Sequence, residues 1–447
     1  MFTRVIAELH EPSMTIMIIA SVVLIIATFV NTDIGLIAIL LSMLLSPELE
    51  AGATASRAVT IRAEDLLLIV VCFAWLAKMA IQKSPPFKKS PLNAPIGVYV
   101  AVMCICTIRG VAMGNVRPLV GMFFVVKLVE YYILFFMVMN QTTTSKQVRM
   151  FLFILLFTSM VVGIYGNTHI GQTSRISAPF EGSGEPNTLG GYLLFILSLV
   201  GGLLLYYKKR RIVLLFIFIF LVPTFFFTLS RASYLGALPA LIAFGLLAED
   251  KRVLNLTAVV VILFILTFVF GPPVLRDRVM GAFTPEESQT LKRVGVVSLG
   301  PSPAARVTSW RIVLTQKFPK RPFLGYGVSG AGFLDSQYIL VLAETGIVGL
   351  CCFFWLMWRI WRAAFSVYHT VKTPLFKGLS LGYLVGLIGL LFHAIGTNTF
   401  IIIRISEPFW FFTAIVVKLV DIETGKAQAE EEGLGRFGQY STTSPRI

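Results

Sequence analysis

Residues 208–248 read KKRR, IVLLFIFIFLVPTFFFTL, SR and ASYLGALPALIAFGLLA in succession. This stretch decides the fold class. Residues 212–229 are an unbroken apolar run, and roughly 20 such residues cross a hydrocarbon core as a helix. Residues 232–248 form a second run of similar length. Continuous apolar character without alternation reads as helix rather than barrel strand, because backbone groups in lipid must be satisfied within the segment. The stretch is therefore a hairpin of two membrane helices. Four cations lie at its start and one arginine, Arg231, at its far bend.

The rest of the chain agrees. It has 447 residues, 56% hydrophobic and only 14% charged, with mean hydropathy +0.81. A soluble chain is usually about 25% charged. Soluble enzymes, disordered proteins and disulfide scaffolds are excluded. Apolar runs lie near 14–30, 34–46, 66–82, 93–108, 118–140, 147–165, 188–206, 212–229, 232–248, 254–270, 338–358, 378–397 and 400–419. The expected fold class is an all-α polytopic membrane protein with about 12–14 transmembrane helices. The first two runs are short and parted only by Asn31-Thr32-Asp33, so they read as a hairpin or as one broken crossing. Two full spans put the N-terminus outside; one broken crossing puts it inside. The N-terminal run leads straight into the next and does not read as a secretory signal.

Net charge is +15, from 38 Lys+Arg against 23 Asp+Glu. Lysines and arginines mark alternate loops: Lys83, Lys88 and Lys89; Lys146 and Arg149; Lys208, Lys209, Arg210 and Arg211; Lys251 and Arg252; Arg359, Arg362, Lys372 and Lys377. Short cytoplasmic loops carry such an excess, so these loops share the cytoplasmic side. The organisation expected is N-terminal membrane helices over 1–270, a large outer loop over 271–337, C-terminal membrane helices over 338–420, and a polar, disordered cytoplasmic tail over 421–447. Within the loop, residues 304–317 have helical character, with Val307, Trp310, Ile312 and Val313 as an apolar face.

The outer loops break the usual charge bias. They hold Arg57, Arg62, Arg109, Arg117, Arg175, Arg231, Arg306, Arg311 and Arg404. The guanidinium group is a planar fork suited to phosphate oxygens, and several from distant loops can converge on one anion. Any single arginine equally suits lipid headgroups or a carboxylate such as Glu181 or Glu185. Arg231 is the exception, because a charge in so tight a turn at the bilayer boundary is functional or paired. Lys127 and Glu130, one helical turn apart, read as mutually neutralising. Asn187-Thr188 reads as a helix cap. Residues 335–349 open a membrane helix with a polar cluster, where Asp335 or Ser336 serves as a cap or Asp335 as a base for a hydroxyl. The five cysteines and four histidines show no metal-site spacing,.

In these motifs the chain resembles the O-antigen ligase and O-antigen polymerase superfamily of bacterial envelope glycosyltransferases. The resemblance covers most of the chain. It rests on the Ser230-Arg231 turn, the Arg306–Arg311 stretch, Pro322-Phe323-Leu324-Gly325-Tyr326-Gly327, Asp335 through Gly349, and Gly396 through Trp410 with Arg404 and Glu407. It implies a GT-C-like fold in a bacterial inner membrane, a periplasm-facing site, and a polyprenyl-diphosphate-linked glycan as donor. Aligning Gly346 and Gly349 with the family's glycine pair puts Asp335 where ligases carry His. That departure favours a polymerase of O-antigen or exopolysaccharide repeat units.

On that resemblance Arg231 and Arg404 stabilise the leaving diphosphate and Asp335 is the base. Arg175, Arg306 and Arg311, with Ser336, Gln337 and Tyr338, bind diphosphate and glycan. No metal and no cofactor is expected, and no nucleic-acid partner. The partners implied are donor and acceptor glycolipids, the bilayer, a chain-length regulator and a flippase. Two alternatives stay open: a ligase delivering glycan to lipid A core or protein, and a transporter or flippase of lipid-linked sugars.

Overall fold

A computed structural model describes residues 14–46, 48–53, 58–83, 85–172, 175–180, 185–281, 292–294, 297–299, 301–332 and 334–441. Each of the apolar runs forms a helix. The first ten are α1 (Met14–Val30), α2 (Thr32–Leu45), α3 (Ala63–Ile81), α4 (Asn93–Ala112), α5 (Pro118–Gln141), α6 (Ser145–Thr168), α7 (Pro186–Tyr206), α8 (Arg211–Phe227), α9 (Arg231–Leu247) and α10 (Lys251–Phe270). Two shorter helices follow in the large loop, α11 (Pro273–Met280) and α12 (Pro301–Ile312). The chain returns through α13 (Gln337–Thr370), α14 (Pro374–Gly396) and α15 (Ile403–Ser441). Two small antiparallel hairpins complete the described residues, β1 (Glu48–Ala53) with β2 (Ala58–Arg62), and β3 (Lys292–Val294) with β4 (Val297–Leu299).

The protein is thus an all-α, multi-pass membrane protein. Among the described residues, eight helical segments are long and apolar enough to cross a bilayer. That is fewer than the about 12–14 expected from apolar runs. The difference has two causes. Helices α1, α2 and α9 have 17, 14 and 17 residues, whereas α3 and α15 carry extra charge: Glu64, Asp65 and Lys78 in one, Glu407, Lys418 and Asp421 in the other.

The first two helices form a hairpin. Thr28 lies against Gly35, a contact that a continuous helix, rising about 1.5 Å per residue, would hold apart. Asn31 turns the chain and caps α2 by accepting from Asp33 N at 3.0 Å. The lysine-bearing loops gather at one end of the bundle. There Gln147 Nε2 donates to Asp33 at 2.9 Å, Lys88 Nζ to the Asn140 carbonyl at 3.0 Å, and Lys377 pairs with Glu249 at 2.7 Å. Glu423 accepts from the Lys372 and Thr373 amides at 2.9 and 2.6 Å. Beyond it α15 continues as helix to Ser441. Residues 442–447 lie outside the described residues.

Helices α7 and α14 are the centre of the bundle. For each, 78% of the apolar window is buried, against 6% for α10, which stands at the periphery. Small residues let the central pair approach closely, as membrane helices do where lipid removes the hydrophobic drive. A Cβ on Gly382 would sit 2.6 Å from the Ser198 carbonyl oxygen, and one on Gly202 2.3 Å from that of Gly378.

Helix α13 is broken near its start. Gly346 has φ 66° and ψ −166°, a region open essentially to glycine. The break frees backbone groups, and the segment 322–327 satisfies them. Ile347 N donates to the Pro322 carbonyl at 2.8 Å, Tyr326 N to Ala343 at 3.0 Å and Gly327 N to Glu344 at 2.8 Å. A Cβ on Gly346 would lie 2.3 Å from the Phe323 carbonyl.

Two substitutions test this packing. Gly382→Val should lower stability by about 1–3 kcal/mol through overpacking. Gly346→Ala should be at least as damaging, because strain adds to the clash. Thermal unfolding of purified protein in detergent reads both, with Gly97→Ala in α4, where a Cβ meets nothing, as the control that should not destabilise,.

Candidate functional site

The bend between α8 and α9 is the seed of the site. Ser230 occupies the N-cap of α9, its Oγ accepting from Ser233 N at 3.2 Å. The same Oγ donates to Asn187 Oδ1 at 2.8 Å, tying the bend to the first turn of α7. Asn187 is therefore a tie between helices rather than the cap expected of it; Glu185 holds the cap position of α7. Leu229 completes the bend in the left-handed region, at φ 50°. Such a conformation costs a leucine about 1–2 kcal/mol. Here it accompanies a carbonyl that receives two guanidinium groups, Arg175 at 3.3 Å and Arg278 at 3.0 Å. Arg231 Nε in turn donates to the Arg278 carbonyl at 2.8 Å.

Arg306, on α12, lies within electrostatic reach of Arg175. Burial first, then the positive fields of Arg278, Arg231 and Arg306, pull the Arg175 guanidinium down to about 10, with Tyr234 opposing. That depression means cations crowd one another in a poorly solvated place. An arginine still carries its charge there at neutral pH, so the cluster presents a concentrated positive field. Arg278 was missed by the sequence reading, since it follows a stretch with no motif and belongs to the site only through the folding back of α11.

An apolar groove adjoins the cluster. Leu194, Phe225, Phe226, Ala237, Leu263 and Phe264 are among its walls, from α7, α8, α9 and α10. Phe225 and Phe226 stand in the last turn of α8, so two of the groove's walls, α8 and α9, meet at the bend that carries Arg231, and Tyr234 packs against Phe226 and Phe268 near that bend. It encloses about 820 Å³ including its open mouth. Since α10 is scarcely buried, this wall faces lipid.

Asp335 borders the cluster from the other side. Its Oδ2 lies 3.5 Å from Arg306 Nε. The backbone around it is pinned to the turn between α14 and α15: Asn398 Nδ2 donates to the Leu334 carbonyl at 2.7 Å and Gln337 N to Thr397 at 3.2 Å. His393 supports that turn, its Nδ1 lying 2.8 Å from Thr399 Oγ1.

Other residues expected in the site have different duties. Gln337 is buried and its Oε1 accepts from Phe400 N at 3.0 Å. Tyr338 donates to the Leu391 carbonyl at 2.5 Å and stacks on Phe354. Ser336 is buried at the N-cap of α13 without a side-chain cap bond. Arg311 is exposed on α12. Arg57 and Glu181 lie outside the described residues.

Arg404 is the largest departure. Expected as a catalytic cation, it has no solvent exposure at all. Its guanidinium donates to the carbonyls of Pro179 at 3.1 Å and Ser46 at 3.3 Å. It belongs to a buried charge network at the foot of the 175–180 loop. There Glu64 meets Ser46 Oγ, and Arg62 at 3.4 Å. Lys127 pairs with Asp65 more closely than with Glu130 at 3.8 Å, so its expected partner is the secondary one. Arg404 thus positions the loop that presents Arg175. No family model and no curated protein matches this chain.

Arg404→Ala should cost about 3–5 kcal/mol, the usual effect of removing one partner from a buried ionic network. The yield of folded protein and its melting temperature should fall together. Arg311→Ala should change neither.

Proposed function

We propose that this protein is a glycosyltransferase of a bacterial inner membrane, acting at the periplasmic face. It would polymerise oligosaccharide repeat units carried on polyprenyl diphosphate. The observation that carries this reading is an arginine cluster at the bend joining two walls of a lipid-facing apolar groove. A polyprenyl diphosphate has matching parts: a doubly phosphorylated head and a long hydrocarbon tail. The guanidinium groups would take the head and the groove the first isoprene units. The resemblance in sequence motifs supports the same reading.

The placement supports the following reaction. The acceptor sugar hydroxyl attacks the anomeric carbon of the donor glycan, and the bond from that carbon to the diphosphate oxygen breaks. The hydroxyl proton passes to the Asp335 carboxylate, and polyprenyl diphosphate leaves. Negative charge grows on the leaving oxygen as the bond breaks. Fixed cations in a poorly solvated site stabilise that charge more than water would, because they need no reorganisation. Arg231 and Arg278, at the bend, are best placed for the phosphate. Asp335, across Arg306, stands on the side from which an acceptor would come.

A second reading has one specific observation behind it. Transporters often bind substrate where helices are discontinuous, and α13 is interrupted at Gly346. A transporter or flippase of lipid-linked sugars would use that break. Turnover of donor by purified protein in detergent, without any gradient, supports transfer and excludes pure transport. A ligase differs in its product: its loss leaves lipid-linked polymer accumulating, whereas loss of a polymerase leaves single repeats attached.

With a defined lipid-linked repeat as substrate, Arg231→Ala should lower the rate roughly a hundredfold or more, about 3 kcal/mol of barrier. Asp335→Ala should also be strongly impaired. Normal polymer from both variants would refute the site assignment.

A further inference from the structure

Arg306 has two attachments. It is within electrostatic reach of Arg175 and of His393, which places it at the edge of the cluster. It is also the ion-pair partner of Asp335 at 3.5 Å. These attachments compete. A carboxylate oxygen resting on a guanidinium occupies a position that a phosphate oxygen would take. While it rests there, the lone pairs of Oδ2 face the cation and not an incoming hydroxyl.

The contact is built to yield. Its side chains are 23% and 36% exposed, and exposed ion pairs are weak. At 3.5 Å it is at the limit of a hydrogen bond,. Asp335 itself is held from behind, through the bonds from Asn398 to Leu334 and from Gln337 to Thr397. Arg306 rides on α12, which runs into a wide turn over Val313–Lys317 and a tight one over Phe318–Lys320. The movable partner is therefore the arginine, and it lies within electrostatic reach of Arg175, itself bonded with Arg278 to the Leu229 carbonyl.

We propose that the Arg306–Asp335 pair is a latch, opened when the diphosphate of the donor draws Arg306 into the cluster, leaving Asp335 free to accept the proton of the acceptor hydroxyl. The inference rests on the cluster being the diphosphate site. It makes binding ordered, donor before acceptor, and it assigns Arg306 a positioning role in addition to its contact with phosphate. No bond is made or broken by the latch itself; the transferred proton is the one already assigned to Asp335.

The test uses the full-length protein in detergent with farnesyl diphosphate as probe. Asp335→Asn removes the competing anion while keeping the shape, and it should tighten probe binding about fivefold. Arg306→Gln should weaken binding, and adding Asp335→Asn to it should bring no gain, because the latch is already gone. Melting temperatures check that each variant is folded. Equal or weaker binding by Asp335→Asn, with wild type binding normally, overturns the latch and leaves the diphosphate site standing. Absence of binding by every variant and by wild type overturns both.

Discussion

Two guanidinium groups, those of Arg175 and Arg278, donate to one carbonyl, that of Leu229. Like charges brought together away from water repel, and the arrangement persists only where the surrounding structure holds it. Much of the architecture at this end of the bundle serves that end. The Ser230 cap and its bond to Asn187 set the bend. Leu229 takes a strained conformation within it. Arg404 grips the loop that carries Arg175.

The charges of this protein fall into three groups with separate tasks. Lysines gather at one end of the bundle. A buried network of Arg62, Glu64, Asp65, Lys127, Glu130, Arg404 and Glu407 joins α3, α5 and α15 beneath the outer loops. Isolated charges there would be expensive, and pairing makes them tolerable. The third group is the cluster of Arg175, Arg231, Arg278 and Arg306, with Asp335 paired to Arg306 at 3.5 Å. The adjoining apolar groove gives this third group its meaning, since a cation cluster alone would suit any anion.

The helices were legible from sequence because apolar length is a local property, readable without knowing neighbours. The bend at Ser230-Arg231 was legible for the same reason: its two flanking runs leave it no other place. Partnership was not legible. Arg404 and Arg231 look alike in sequence, each an arginine beside an apolar run. One is sealed under the loops and the other is bonded to the Arg278 carbonyl at the bend, and only packing distinguishes them. Arg278 carried no signal, since its place depends on α11 turning back over the bend. Gln337 and Tyr338 were polar residues in a suggestive position, yet both are consumed in fastening α13 to its neighbours. The Gly346–Gly349 spacing was visible, whereas the break at Gly346 depends on the 322–327 segment lying alongside.

The most direct measurement is an electron cryomicroscopy structure of the protein in lipid nanodiscs with a polyprenyl diphosphate added. The account predicts density for the diphosphate among Arg175, Arg231, Arg278 and Arg306, with the tail entering the groove between Phe225, Phe226 and Phe264. Diphosphate density at the lysine end, or a tail lodged elsewhere with the cluster unaltered, would contradict it.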